Sequence, residues 1–181
     1  PMKAQKLHHV RGHYPTEPVF TLAEAKAQCR VEYGDEDLLI QHYIDAATAL
    51  LDGPAGILGR CLITQTWRLE ISTLPARLGL PFPDTEIDTA VFTDAEGGDV
   101  PYDTGWQGSR AMLFPRAGIG RPATISFRAG YGGPSDVPAA IRQAMLLLIS
   151  HWYDHRSAIA DPAGQPQAVD ALLLPFRQVR P

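Results

Sequence analysis

Apolar residues recur at helical spacing in two consecutive segments near the beginning of the sequence. Thr21 and Glu24 form a capping-box pattern, in which each side chain satisfies a free backbone N–H at a helix start. A first helix is therefore predicted over about residues 21–33, and Gly34 ends it. An acidic first turn, which complements the helix dipole, opens a second helix predicted over about 35–52. Together these segments predict an N-terminal helical hairpin.

The strongest helical pattern comes late in the sequence, over residues 138–156. A helix of this length is about 28 Å long. Asp136 is a candidate cap, and Pro138 suits the first turn. Four apolar residues at helical spacing mark the face that we expect in the core: Ile141, Met145, Leu148 and Trp152.

Between these helices, over about residues 62–130, the period changes. Trp67, Leu69 and Ile71 alternate with polar residues, which indicates a half-buried strand. Three further segments are strand candidates, and Gly-rich or Pro-rich loops separate them: 87–92, 111–114 and 123–127. The pattern predicts a small, mostly antiparallel β region.

The elements together predict an α+β fold that is mainly helical. Its core would be a helical bundle, formed by the N-terminal hairpin and the long C-terminal helix, with the β region attached. We expect an N-terminal arm over residues 1–20, one domain over 21–160, and a linker with an extended tail over 161–181.

Composition and charge exclude several classes of protein. The apolar fraction is 45% and the charged fraction 20%, as in ordinary globular proteins. The net charge is −4 and the arginines are dispersed, which does not suit a nucleic-acid clamp. Cys29 and Cys61 lie far apart and show no metal-binding spacing. The longest apolar run, residues 144–149, is far shorter than the roughly 20 residues that span a bilayer, so no membrane association is expected.

One group of residues invites an enzymatic interpretation. His151 and His155 lie four residues apart, as two zinc ligands on a helix would, and Asp154 lies beside them. A small metal-dependent hydrolase using these three residues is therefore an alternative. However, position 152 is Trp where the HExxH motif has Glu, and no third ligand is identifiable. The N-terminal histidines, His8, His9 and His13, fit no known ligand spacing. We therefore expect no catalytic, cofactor-binding or metal-binding residues.

Several short segments, in their order and spacing, form a pattern that covers roughly residues 21–178. They are Leu22–Lys26, Arg30–Val31, Asp35–Ile40, Ile44–Ala47, Thr64–Leu69, Arg128–Tyr131, Val137–Ala144, His151–Arg156 and Leu173–Arg177. This pattern resembles the head–tail connector (portal adaptor) proteins of tailed phages and of phage-like gene transfer agents. The chain departs from the family pattern at His155, where Asn is commoner, and in the proline-rich stretch 75–83.

The resemblance implies a structural subunit and not an enzyme. Such subunits form a homo-oligomeric, dodecameric ring under the portal protein, extend the DNA channel and join the capsid to the tail. The implied partners are portal and a stopper or tail-terminator protein, with double-stranded DNA passing through without sequence-specific binding. The implied location is the head–tail junction of a virion or phage-like particle, assembled in the bacterial cytoplasm. A phage, a prophage and a gene transfer agent are not distinguished, and a tail-completion protein is a further alternative.

The end of the sequence is the candidate docking element for portal. A Pro/Gly linker over residues 161–167 precedes a short segment with apolar side chains. Exposed apolar surface on such a segment usually marks an interface. In the alternative, the tail folds back onto its own subunit. The candidate docking residues are Val169, Leu172, Leu173, Leu174, Phe176 and Arg177.

Overall fold

The computed structural model describes residues 8–13, 15, 17–156 and 166–178. The chain forms two compact units, each built from two separate stretches of sequence. The sheet unit comprises Pro1–Thr16 and Thr64–Tyr131, and the helical unit comprises Glu17–Ile63 and Gly132–Pro181. The single domain expected over 21–160 is thus divided, because the β region is inserted between the helices that pack together.

Within the described residues, the helical unit contains four α-helices and two short 3₁₀ turns, Pro134–Asp136 and Leu174–Phe176. In chain order the helices are α1 Leu22–Cys29, α2 Asp37–Leu51, α3 Ala139–Asp154 and α4 Gln167–Leu173.

The capping box predicted for α1 is confirmed. The backbone N–H of Glu24 donates to Thr21 Oγ1 over 3.3 Å, and the backbone N–H of Thr21 donates to Glu24 Oε2 over 2.7 Å. The helix ends before the predicted boundary, because Arg30 adopts the left-handed conformation with φ 58°. The Lys26 ammonium group lies 2.5 Å from Asp37 Oδ1, so it joins the end of α1 to the start of α2.

The long helix α3 does not use Asp136 as its cap. Asp136 belongs to the preceding 3₁₀ turn, and its carboxylate accepts a hydrogen bond from the backbone N–H of Gly133 over 2.8 Å. Pro138 instead occupies the N-cap position. The buried residues of α2 and α3 form the core between these helices: Ile40, Ile44, Ala47, Leu51, Ile141, Ala144, Met145, Leu148 and Ile149.

In the part of the sheet unit that the structure describes, the strands form two antiparallel sheets. One has the strand order β1-β2-β7-β4, and the other has the order β3-β6-β5. The strands are β1 His8–His13, β2 Gln65–Ile71, β3 Leu78–Gly79, β4 Thr85–Asp94, β5 Tyr102–Gln107, β6 Arg110–Pro115 and β7 Ala123–Ala129.

The core of the sheet unit is aromatic. In the register of β2 and β7, Trp67 lies opposite Phe127, and Leu69 lies opposite Ile125. The Phe82 ring lies 5.0 Å from the Trp67 ring and 6.3 Å from the Phe127 ring, measured between centroids. The alternating apolar residues predicted for β2 therefore point into this core, and Leu69, Phe127 and Phe82 are almost completely buried.

The expectation of a mainly helical fold is wrong. Two antiparallel sheets make up a share of the chain comparable with the helices. The helical periodicity in the sequence is strong, whereas β1, β3 and β5 lack a clear alternation of apolar and polar residues. These three strands form because neighbouring strands supply backbone hydrogen-bond partners, some of them distant in sequence.

The N-terminal arm expected over residues 1–20 is in part a strand. β1 pairs with β2 in antiparallel register, from His8 opposite Glu70 to Arg11 opposite Trp67. The side chains of His8, His9 and His13, and the linker residues 161–165, lie outside the described residues.

Candidate assembly interfaces

The C-terminal segment of the described chain packs on its own unit. Helix α4 contacts α3, and Val169 and Leu173 are completely buried. The backbone N–H of Gln178 also donates to the Leu58 carbonyl over 3.0 Å. Two of the six candidate docking residues therefore already have partners within the helical unit.

The other side of this segment remains accessible. Leu174 is 68% exposed, Leu172 and Phe176 are half-buried, and Arg177 is exposed. The Arg177 guanidinium lies 2.6 Å from the carboxylate of Asp170, an exposed pair at the surface. We call Leu174, Phe176 and Arg177 the tail surface; it is what this segment can offer to a partner while α4 stays docked.

The end of α3 is held by an ion pair to the start of α2. Arg156 Nη1 lies 2.6 Å from Glu36 Oε1, and the Tyr153 hydroxyl donates to the same carboxylate. These bonds lower the pKa of Glu36, with Arg156 the larger cause, and the bond to Glu36 raises the pKa of Tyr153. The Arg156 guanidinium also lies over the Tyr153 ring at 4.1 Å. The contacts hold the end of α3 against the start of α2.

The residues of the hydrolase alternative lie at this same helix end. The His151 and His155 rings are 4.4 Å apart between centroids, and His155 Nδ1 lies 2.9 Å from the His151 carbonyl oxygen. His151 is half-buried, and Asp154 and His155 are exposed. Within the part of the chain that the structure describes, no group of three or more His, Cys, Asp or Glu side chains is arranged to hold a metal ion.

The β5–β6 hairpin presents exposed aromatic side chains that were not predicted from the sequence. Trp106 is 57% exposed and Phe114 is 40% exposed, and the Phe114 ring lies across Gly105. Gly108 and Ser109 form the two-residue turn. A Gly-Ser pair between extended segments is a hairpin signal, so this turn could have been recognised.

Two further exposed apolar residues lie near the start of α2. Tyr33 is 79% exposed and Leu38 is 78% exposed. These two side chains, like the tail surface, are candidates for contact with a partner because they are large, apolar and exposed. None of the described helices is long and apolar enough to cross a membrane.

Searches with protein-family models and among curated proteins gave no match. Solved structures do match over nearly the whole chain. One is a chain from the neck of an empty gene transfer agent (GTA) particle, computed with C6 symmetry; its TM-score is 0.76 and its identity 22%, over 96% of this chain and 97% of that one. The chain has the fold of a GTA neck protein.

Two other solved chains from GTA particles have a similar fold. One comes from the virion of a native GTA particle, with a TM-score of 0.75 and 23% identity, over 96% of both chains. Another comes from the neck of a native GTA particle computed with C12 symmetry, with a TM-score of 0.61 and 20% identity, over 95% of this chain and 97% of that one. The resemblance to GTA connectors found in the sequence is thus confirmed at the level of the fold.

Proposed function

We propose that the protein is a structural head–tail connector (adaptor) subunit of a phage-like particle. It would form a ring under the portal, extend the DNA channel and join the capsid to the tail. The observation that carries this proposal is the match of nearly the whole chain to the neck-protein fold, including both of its units. The role needs no catalytic group, and the sequence predicts no set of catalytic residues.

The symmetry of the similar assemblies supports a ring. The necks that contain two of the similar chains were computed with C6 and C12 symmetry. A subunit of such a cyclic assembly needs two different surfaces, because each copy contacts its two neighbours head to tail. We propose a dodecamer, located at the head–tail junction of a particle assembled in the bacterial cytoplasm.

The charge of the chain suits passage of DNA rather than binding. The net charge of −4 is multiplied in a ring, and neutralised phosphates are what give protein–DNA complexes their affinity. Glu96 and Asp99, both exposed near the end of β4, are candidates for the channel lining. We propose that double-stranded DNA passes without sequence-specific contacts.

We propose that portal binds on one side of the ring and a stopper or tail-terminator protein on the other. The tail surface is the candidate contact with portal, since Leu174 is a large apolar side chain that is 68% exposed. Val169 and Leu173 support this contact indirectly, because they hold α4 in place.

Deletion of the gene in the producing cells tests the proposal. Particles should then accumulate as DNA-containing or emptied heads separated from tails, and the wild-type gene supplied in trans should restore joining. Electron microscopy of particles with a tagged copy should place the tag at the neck. Normal joined particles from the deletion strain, or a tag found elsewhere, would contradict the proposed role.

A further inference from the structure

The outer edge of strand β5 is open. β5 is the last strand of the three-stranded sheet, and within the described residues no strand lies beyond it. The backbone N–H of Arg116 donates to the Pro101 carbonyl over 2.8 Å, which makes 101 and 116 a hydrogen-bonded pair of the antiparallel register. Since such pairs alternate, Thr104 and Trp106 direct their backbone N–H and C=O groups away from β6.

This edge lacks the usual protection against pairing with another chain. Natural edge strands are short, bulged, covered, or carry proline or unpaired charge. β5 has six residues, contains no proline and has regular pairing with β6. Its one charged residue, Asp103, is already bound by Arg116, with 2.9 Å between Nε and Oδ2. Trp106 adds exposed apolar surface beside the free backbone groups.

Two of the other sheet edges are protected. β3 has only two residues. β4 has an irregular register between Glu86 and Val91, and near its end the backbone N–H of Val100 donates to the Phe92 carbonyl. The remaining edge is β1, the first strand of the four-stranded sheet; it pairs regularly with β2 from His8 to Arg11, and its register shifts between Arg11 and His13.

We propose that the outer edge of β5 pairs with β1 of the neighbouring copy, so that the sheets of adjacent subunits become continuous. The inference rests on the proposed ring. Pairing of β5 with β5 of a second copy would be two-fold symmetric and would close a dimer, whereas a cyclic ring requires two different surfaces. The outer edge of β5 and the regularly paired part of β1, His8–Arg11, are two such surfaces, and edge-to-edge strand addition satisfies the backbone groups of both.

Replacing Thr104 tests this pairing, because the N–H of Thr104 faces outward. Thr104→Pro removes that outward donor without removing a hydrogen bond to β6, and Thr104→Ala is the matched control that keeps it. Thr104→Pro should weaken association at each contact by about fivefold or more, since one intermolecular hydrogen bond is lost and the ring of proline meets the incoming strand. Its incorporation into particles should fall accordingly, with a melting temperature close to that of the control.

Disulfide trapping in assembled particles provides a second measurement, which does not depend on the folding of the proline variant. Thr104→Cys would be combined in turn with His9→Cys, Val10→Cys and Arg11→Cys, with the single-cysteine variants as background for native Cys29 and Cys61. One pairing register should give a ladder of covalent dimers and higher oligomers. Cross-linking to a different neck protein, or rings of Thr104→Pro that form as well as the control, would overturn the pairing and leave the proposed ring standing. Absence of the wild-type chain from the neck would overturn both.

Discussion

The guanidinium group of Arg142 lies 2.7 Å from the carboxylate of Glu24 and joins α3 to α1. The same side chain donates from Nη1 to the backbone carbonyls of Val19 and Pro134, over 2.5 Å and 2.9 Å. A single arginine thus holds together the segment before α1, the turn before α3 and the two helices. The Arg142 side chain is 25% exposed and its hydrogen bonds to the two carbonyls are partly buried, whereas the Glu24 side chain is 45% exposed.

Arg142→Ala should lower the free energy of unfolding by about 1–3 kcal/mol, because it leaves partly buried carbonyl groups without their donor. Chemical denaturation measures the effect. Arg128→Ala is the control: Arg128 pairs with Glu86 over 3.3 Å, and its side chain is 52% exposed, so its loss should cost about 0–1 kcal/mol. Equal effects of the two substitutions would show that Arg142 makes only a surface contact.

Glu24→Gln should change how stability depends on pH. The backbone N–H of Thr21 is the main cause that lowers the pKa of Glu24; partial burial opposes this, and the Thr21 hydroxyl and Arg142 add to the lowering. A carboxyl with a lowered pKa in the folded state stabilises the fold above its unfolded pKa of about 4.3 and loses that contribution as the pH falls further.

Wild type should therefore have a larger free energy of unfolding than Glu24→Gln at pH 7. The difference between the two free energies should become smaller as the pH falls below about 4. Urea denaturation of both proteins between pH 7 and pH 3 measures this. A difference that stays constant over the whole range would mean that the charge of Glu24 does not contribute, and that the substitution acts through packing or capping geometry alone.

Local sequence patterns predicted this part of the fold well. The capping box of Thr21 and Glu24 involves residues three apart, so the sequence alone specifies it. The prediction of Asp136 as the cap of α3 is wrong because its carboxylate instead accepts a hydrogen bond from the backbone N–H of Gly133, within the preceding 3₁₀ turn. Trp152 was placed on the core face by its spacing, but near the helix end it is only half-buried and lies 6.3 Å from the Tyr43 ring.

Contacts between distant segments could not be predicted in this way. β1 pairs with a strand more than fifty residues away, and nothing in its own sequence specifies that partner. Most side chains of β5 are exposed, so its sequence does not alternate between apolar and polar residues. The two-residue period that indicates a half-buried strand is therefore missing. The interface surfaces proposed for the ring lie on these two strands, so local sequence patterns could not reveal them.

Gly56→Ala should be strongly destabilising. A Cβ at this position would overlap the backbone carbonyl of Leu51, and backbone atoms cannot move aside as a flexible side chain can. The expected loss is about 1–3 kcal/mol, as for other substitutions that overfill a packed site. Gly34→Ala is a matched control in the same unit, since its Cβ would be in ordinary contact with the Asp37 side chain at 3.6 Å. Thermal unfolding of both variants checks this, and a Gly56→Ala protein as stable as Gly34→Ala would contradict the packing described for the end of α2.

Leu173 and Leu174 are adjacent in sequence and should have separate effects on stability and assembly. Leu173 lies four residues after Val169, so both occupy the face of α4 that packs on α3, and both are completely buried. Leu174 follows on a different side and is 68% exposed. Leu173→Ala should therefore cost about 2–5 kcal/mol of unfolding free energy. For the same reason, truncation after Gln165 should destabilise the protein as well as impair assembly, so it cannot separate the two roles.

Leu174→Ala should leave the unfolding free energy within about 0.5 kcal/mol of wild type, as for most surface substitutions. If the tail surface contacts portal, this variant should nevertheless bind portal-containing particles more weakly, because burying one Leu side chain contributes about 1.5–3 kcal/mol. That corresponds to a loss of at least about tenfold in affinity per contact. Pull-down of the purified variants with portal-containing heads measures the binding, with Ala171→Ser, also exposed on α4, as a neutral control. Normal binding by Leu174→Ala would show that portal does not contact this part of the C-terminal segment. The role of the segment would then be to complete the core of the helical unit.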